Sequence, residues 1–417
     1  MAMCQFVHLH VHSNYSFCRG AATIRDLCAA AHRMGMTHLA LTDRNGLYGL
    51  GWFIEAAREF GLRPLIGAHL CYEGNECLLL AKNLAGYQYL CQAITAIHEQ
   101  RGRSLIDIVR DHCADTFILT QDSALLQQLL ASHNLTNVFA ELIPYANREG
   151  LRHFARENAI PVVATNAVYF VAKDDWRLHR LLRAIDLNTS LQRVPPDELV
   201  DRDAWFTSGA DMIARFSDCP EAIANALKIA RECEFDLDFG GFVFPSFPDT
   251  DGEDIFAFLR KKVVAGIHKR YGEMTAVIQE RLDHELDIIR DKGFAAYFLV
   301  LADVANKVKL TCGRGSAAAS IVSYALGITH VDPIRHHLFF ERFLNRGRQD
   351  PPDIDVDFAW DERDSVLKYL FDKYGPERTA MISNHSTFKA RSAVREIAKV
   401  YGLADGEINA VTKKMNS

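Results

Sequence analysis

The chain has 417 residues, 49% hydrophobic and 24% charged, a globular composition long enough for two or three domains of roughly 100–200 residues each. Its longest apolar run, 317–328, stops well short of the ~18 residues of a membrane span, and its ten cysteines include no CxxC pair. A small disulfide-stapled scaffold is excluded, and reduced thiols in a cytoplasm are expected. Net charge is −6 overall but −8 over residues 1–300 and +2 over 301–417, which places any polyanion site in the last third.

From residue 6 to about 185, short apolar runs alternate with amphipathic stretches. Strands are expected at 6–12, 37–42, 63–70, 77–82, 116–120, 137–143 and 161–165, and helices at 23–34, 50–60, 85–98, 123–131, 148–157 and 174–185. Seven strands alternating with helices predict an α/β fold with a parallel sheet, open or closed into a barrel, because parallel neighbours need crossover connections. Chemistry in such folds sits at the carboxyl ends of the strands. After Pro195-Pro196 come helix signals over 210–232, and FGGFVFPSFP (239–248) reads as a linker. Long helices follow at 252–271 and 276–292, and the chain stops at Lys413-Lys414-Met415-Asn416-Ser417 without a helix stop signal, which reads as a truncation.

His8, His10 and His12 recur at a spacing of two, so an extended strand carries all three on one face. Two such imidazoles ligate one metal from a rigid base, whereas a lone strand-end histidine more often only bonds a neighbouring loop. Further on, CGRGSAAAS (312–320) precedes an apolar helix pattern over 321–326. Two glycines and a hydroxyl at a helix start let backbone N–H groups approach a phosphate. In PPDIDVDF (351–358) the alternation is a strand signal that puts Asp353, Asp355 and Asp357 on one face. Three neighbouring carboxylates need a compensating cation. Mg²⁺, which prefers carboxylate and phosphate oxygens, suits them and suits two-metal nucleotidyl transfer; the bland alternative is a solvated acidic face paired with Arg346 and Arg348.

HLHVHS (8–13), ALTDRNGLYG (40–49), RPLIGAHL (63–70), LLLAKNLAGYQYL (78–90) and PVVATNAVYF (161–170) together resemble the polymerase and histidinol phosphatase (PHP) domain. The resemblance implies a seven-stranded βα barrel holding up to three metal ions, with His10 and His12 as its paired metal histidines. Arg19, Arg44, His69, Tyr145, Ala167 and Tyr169 stand where that family has metal-site residues. Guanidinium groups keep their charge near neutral pH, so a multi-metal phosphoesterase or 3′-5′ exonuclease is the rival reading. The eroded set is left with one Zn²⁺ or Mn²⁺ on His10, His12 and His69, or with a purely structural scaffold in which Arg19 and Arg44 pair with Asp43 or Glu141.

ERLDHELDIIRDKGFAAYFLVLADVA (280–305), CGRGSAAASIVSYALGITHVDPIRHHLFFERFLN (312–345) and PPDIDVDF resemble the palm of bacterial C-family DNA polymerases. With 361–375 and 384–403 as palm-to-thumb passage, the resemblance implies a PHP barrel over 1–235, a mixed α+β first palm segment over 236–385 and the start of a helical thumb over 386–417. Carried over, Asp353 and Asp355 are catalytic and hold two Mg²⁺ ions, Gly315, Ser316 and Arg342 meet the incoming triphosphate, and Asp357 is at most accessory. The implied partners are primer–template DNA, deoxynucleoside triphosphates and replication accessory subunits. Lys389, Arg391, Arg395, Lys399, Lys413 and Lys414 would touch the DNA backbone. The family's third catalytic aspartate falls beyond residue 417, so the chain alone is expected not to polymerise, and the eroded barrel ligands lean toward an error-prone relative.

Overall fold

The structure, a computed structural model, describes residues 6–415 except 101, 111–113, 132–136, 234, 238–240, 242, 249, 251, 310 and 349. Residues 239, 240 and 242 of the expected linker, and Asn416 and Ser417, thus lie outside the described residues. The chain divides into two compact units, 1–237 together with 386–417, and 238–385.

The first unit is built on strands β1 (His38–Leu41), β2 (Arg63–Tyr72), β3 (Asn75–Ala81), β4 (Thr116–Thr120), β5 (Val138–Leu142) and β6 (Val162–Ala164), hydrogen-bonded in that order. The sheet is not wholly parallel as expected: β2–β3 and β3–β4 are antiparallel. Only Glu73 and Gly74 separate β2 from β3, both at positive φ (50° and 80°), a two-residue hairpin of the kind that matches strand twist and far too short for a crossover.

The expected strand at 6–12 is not one. It makes a single parallel bridge, Val11 to Val168, because the facing chain is kinked by Ala167 at φ 43° and no ladder continues past it. Its backbone still joins both edges: Ala40 N donates to His8 O and Thr42 N to Val11 O on one side, His12 N to Val168 O and Val168 N to His10 O on the other. Six strands therefore curl into an incomplete barrel, with 8–12 across its opening.

Helices such as Ile24–Arg33 and Leu50–Glu59 cover the sheet, each burying an apolar stripe (Leu27, Cys28 and Ala31; Phe53, Ile54 and Ala57). Helix Ala390–Val400 belongs to the same unit, where Val400 packs with Ala184 and Val194. Among the described residues no helix is long and apolar enough to cross a membrane.

Helix Trp176–Asp186 buries His179 completely. The ring is held neutral: Nδ1 meets the Arg19 carbonyl at 2.7 Å, and Nε2 accepts from Val200 N at 3.1 Å. Burial, opposed by the Arg19 carbonyl and reinforced by Arg183, holds the imidazole down to about 4. The unfolded chain binds this proton below about 6.5 and the folded chain does not, so the stabilisation is complete above 6.5 and is lost as pH falls toward 4, on the order of 3 kcal/mol. Urea unfolding of the first unit is expected to show that slope, flattened in His179→Gln; an equal slope in the variant would refute the assignment.

The second unit packs helices Ile255–Tyr271, Ala276–Lys292 and Ala295–Ala305 around Leu259, Val263, Leu282, Leu286, Ile289, Phe298, Phe340 and Phe343. Gly266 allows one close crossing: a Cβ there would lie 2.1 Å from the Ala325 carbonyl oxygen. Beside this core, β7 (Thr311–Arg314) and β8 (Asp355–Phe358) form an antiparallel pair.

Candidate functional site

In the first unit, His10, His12 and His69 bring ligand nitrogens within 4.8 Å of one another. All three are buried. His12 Nδ1 lies 2.8 Å from Ser16 Oγ, whose own proton goes to Asp43 Oδ1 at 2.6 Å. Ser16 must therefore accept, and His12 carries its proton on Nδ1. Likewise His10 Nδ1 donates to Glu141 Oε1 at 2.7 Å, an oxygen that also receives the Thr165 hydroxyl. Both histidines then present bare Nε2 lone pairs to each other, 3.0 Å apart.

Burial, with His10, His69, Arg44 and Arg19 adding charge, holds His12 well below the ordinary imidazole range, so its ring stands neutral, the form in which imidazole ligates a metal. A tetrahedral Zn²⁺ about 2.0–2.1 Å from each nitrogen separates two such nitrogens by about 3.3 Å, close to what is found. The orientation of each ring by a carboxylate or carboxylate-bound hydroxyl is the usual support of a metal-binding histidine. His69 adds a buried Nδ1 with no hydrogen-bond partner among the described residues, and its Nε2 lies 3.4 Å from Glu76 Oε2 on the neighbouring strand. That hydrogen bond holds Glu76 down to about 2.

Several expectations are corrected. His8 does not join the cluster, because its Nε2 meets the Thr207 carbonyl at 2.8 Å between Phe6 and Phe206. Arg19 pairs with Glu198 at 3.2 Å rather than with Asp43 or Glu141; Asp43 is already filled by Ser13 and Ser16 and Glu141 by His10 and Thr165, and Arg44 makes no ion pair among the described residues. Tyr145 spends its hydroxyl on the Asn166 carbonyl at 2.7 Å, and Tyr169 stacks on His12 with centroids 4.0 Å apart. Tyrosine rings and guanidinium groups thus stand where further cations would need ligands. His10, His12 and His69 fit one ion; a second trio, His69, Cys71 and Glu76, shares His69 with the first.

In the second unit, β7 and β8 bring the glycine-rich loop to the aspartates, with Arg314 opposite Asp355 and Cys312 opposite Asp357. Gly315 turns the chain beside Asp355 at φ 66°, a conformation that favours glycine; a Cβ there would be in ordinary contact, 3.5 Å from Asp355 Oδ2. Ile354 and Val356 pack on the core, whereas Asp353, Asp355 and Asp357 are exposed, so the alternation read from the sequence holds although Asp353 precedes the strand. Arg346 instead meets Asp291, and Arg348 the Phe343 carbonyl; the basic partner of the face is Arg314, 3.2 Å from Asp357. Among the described residues the three aspartates do not converge as the histidines do. Their all-carboxylate, exposed donor set fits a hard ion such as Mg²⁺. Ser316 lies half-buried in the turn Gly315–Ala319, and Arg342 is exposed at the end of the turn Phe340–Arg342.

Sequence reasoning missed the residue that holds this loop. Glu285, fully buried on helix Ala276–Lys292, accepts from Ser320 Oγ (2.7 Å), Ile321 N (3.0 Å) and Val322 N (3.3 Å), and from Arg281 Nε (2.7 Å). Arg281 also reaches the Ala319 and Leu338 carbonyls. The signal was present as an Arg–Glu pair at i, i+4 on a helix face, but which turn it caps is decided by the fold.

Residues 8–147 match the PHP domain, and residues 257–417 match the bacterial DNA polymerase III alpha NTPase domain. Two similar curated proteins are an error-prone DNA polymerase of Symbiobacterium thermophilum, 35% identical over 98% of this chain and 42% of the relative, and a DNA polymerase III subunit alpha of Bacillus subtilis, 33% identical over 99% of this chain and 40% of the relative. An error-prone DNA polymerase of Cutibacterium acnes is 35% identical over 98% of this chain and 40% of its own length. The chain belongs to the family of bacterial DNA polymerase III alpha subunits and their error-prone relatives, and spans about two fifths of the length of these curated relatives.

Proposed function

We propose that residues 238–385 form the nucleotide- and metal-binding part of the palm of a template-directed DNA polymerase, with 386–417 as the start of its thumb. The observation that carries this reading is the β7–β8 pair, which sets Gly315 against Asp355. Asp353 and Asp355 would hold Mg²⁺, which supplies charge neutralisation of the triphosphate and activation of a primer 3′-hydroxyl. The Gly315 and Ser316 backbone N–H groups would donate to phosphate oxygens at a turn where Gly315 carries no Cβ, and Arg342 offers its donor fork from the exposed side. Primer–template DNA and deoxynucleoside triphosphates are the substrates on this reading, and the error-prone type is favoured by the eroded barrel ligands. Titration calorimetry of the chain with dATP is expected to show Mg²⁺-dependent binding that weakens about tenfold, ~1.4 kcal/mol, in Asp355→Asn; equal binding with and without the substitution would sink the assignment. Primer extension by the purified chain is expected to be undetectable.

For the first unit, the paired Nε2 atoms favour a single Zn²⁺ or Mn²⁺ on His10, His12 and His69. This reading makes the barrel a cation-braced scaffold rather than a multi-metal phosphoesterase.

A further inference from the structure

Asp353 and Asp355 are not held alike. Asp355 sits in the ladder opposite Arg314, where the β7–β8 hydrogen bonds fix its backbone. Asp353 precedes that ladder, so no strand partner sets where its side chain stands. Residues i and i+2 of an extended chain share a face, but only while something keeps 352–354 extended. Pro352 is buried and Ile354 packs on the core of the second unit. The polar anchor is Tyr297, on helix Ala295–Ala305, whose hydroxyl donates to the Pro352 carbonyl at 3.1 Å. On the far side of Asp353, the Ile354 backbone N–H is the next influence on the phenol after burial. One hydroxyl thus addresses the main chain on both sides of Asp353.

The Tyr297 ring is placed without help from that hydroxyl. It meets Phe244 (centroids 6.4 Å, 68°) and Phe298 (6.4 Å, 77°) edge to face, and Phe244 in turn meets Phe294 at 4.9 Å. Phenylalanine would make the same ring contacts, so what the hydroxyl adds is the bond to Pro352. Burial, opposed by the Ile354 N–H and reinforced by the charges of Asp353 and Asp355, pushes the phenol up, so it keeps its proton and stays a donor. At the end of the preceding helix, Lys292 holds the Arg348 carbonyl at 2.7 Å. The approach to β8 is therefore tied at two points to one helical corner.

We propose that Tyr297 is the positioning residue of Asp353: its hydroxyl holds the Pro352 carbonyl and so keeps the Asp353 carboxylate on the face from which it joins Asp355 on a cation. This role rests on the reading of Asp353 and Asp355 as Mg²⁺ ligands. Titration calorimetry of the whole chain with dATP, repeated over a series of Mg²⁺ concentrations, gives a cation midpoint and a nucleotide affinity at saturating cation. Tyr297→Phe keeps the ring and loses one oxygen atom. It is expected to raise the Mg²⁺ midpoint about tenfold, the lower end of the ~10–100-fold cost of losing a group that orients a ligand, with nucleotide affinity at saturating Mg²⁺ near that of the parent chain. The control is Tyr374→Phe, which deletes a hydroxyl 3.0 Å from Asp303 Oδ2 in the same unit and is expected to leave the midpoint in place. An unmoved midpoint in Tyr297→Phe, beside weakened binding in Asp355→Asn, would overturn the positioning role and leave the palm reading intact. Equal shifts in the two tyrosine variants would also overturn it, as a general loosening of the unit. A parent chain whose dATP binding ignores Mg²⁺, or an Asp355→Asn variant that binds as the parent does, would overturn the palm reading and the positioning role with it.

Discussion

Glu285→Ala is expected to destabilise the second unit by about 3–5 kcal/mol, the usual cost of removing one partner of a buried ion pair. The carboxylate is fully buried and receives four donors, and alanine would leave two backbone N–H groups, a hydroxyl and Arg281 Nε without this acceptor. Unsatisfied buried donors cost about 1–3 kcal/mol each before relaxation, so water entry must recover part of the loss. The effect is local in origin. Amide exchange at Ile321 and Val322, whose N–H groups the carboxylate holds, is expected to accelerate before that of helix Ile255–Tyr271. Glu285→Gln, which keeps the shape and one acceptor oxygen, should lose less than half as much. If exchange at Ile321 and Val322 is unchanged in Glu285→Ala, the carboxylate is not what holds the loop. Because the same loop ends at Gly315 against Asp355, weakened nucleotide binding should accompany the loss.

What was legible in the sequence was whatever depends on near neighbours. The period-2 burial of Ile354 and Val356 against exposed aspartates follows from alternation alone, and six of seven expected strands stand where apolar runs put them. Direction was less legible. Glu73 and Gly74 are a two-residue hairpin signal, yet the helix–strand rhythm around them reads as crossovers, and with the hairpin went the register that sets Cys71 opposite Glu76. That register brings Glu76 to His69, so a carboxylate at the histidine cluster was invisible until the strands were paired. The opening segment shows the opposite failure. Its His-x-His-x-His pattern is a good strand, but Ala167 breaks the chain it would pair with, and His8 turns to the Thr207 carbonyl instead of to His10 and His12. Partners such as Glu141, Ser16 and Glu285 lie 131, 4 and 35 residues from the groups they orient; two of these three separations exceed the reach of any local pattern.

Removal of His12 is expected to abolish cation retention in the first unit. The parent chain, purified without chelator, should carry about one zinc or manganese per molecule by plasma mass spectrometry, since three imidazoles and one further ligand complete a tetrahedral set. His12→Ala deletes one of two nitrogens that face each other at 3.0 Å, and metal content should fall to a trace. Glu141→Gln provides the finer test. It keeps every ligand but removes the charge that orients His10, and loss of such a supporting group costs about 10–100-fold in affinity. A metal titration should therefore rank the parent chain above Glu141→Gln and Glu141→Gln above His12→Ala. Ions bound to the folded state alone also stabilise it by mass action, so a chelator should lower the unfolding temperature of the parent chain and leave His12→Ala unmoved. A parent chain that holds no metal after reconstitution, or one that holds two or three, would contradict the reading in opposite ways. The first would mean that the two facing lone pairs are reconciled by a shared proton, and the second that Arg19, Arg44 and Tyr169 leave room for ions that their charge and bulk are here taken to exclude.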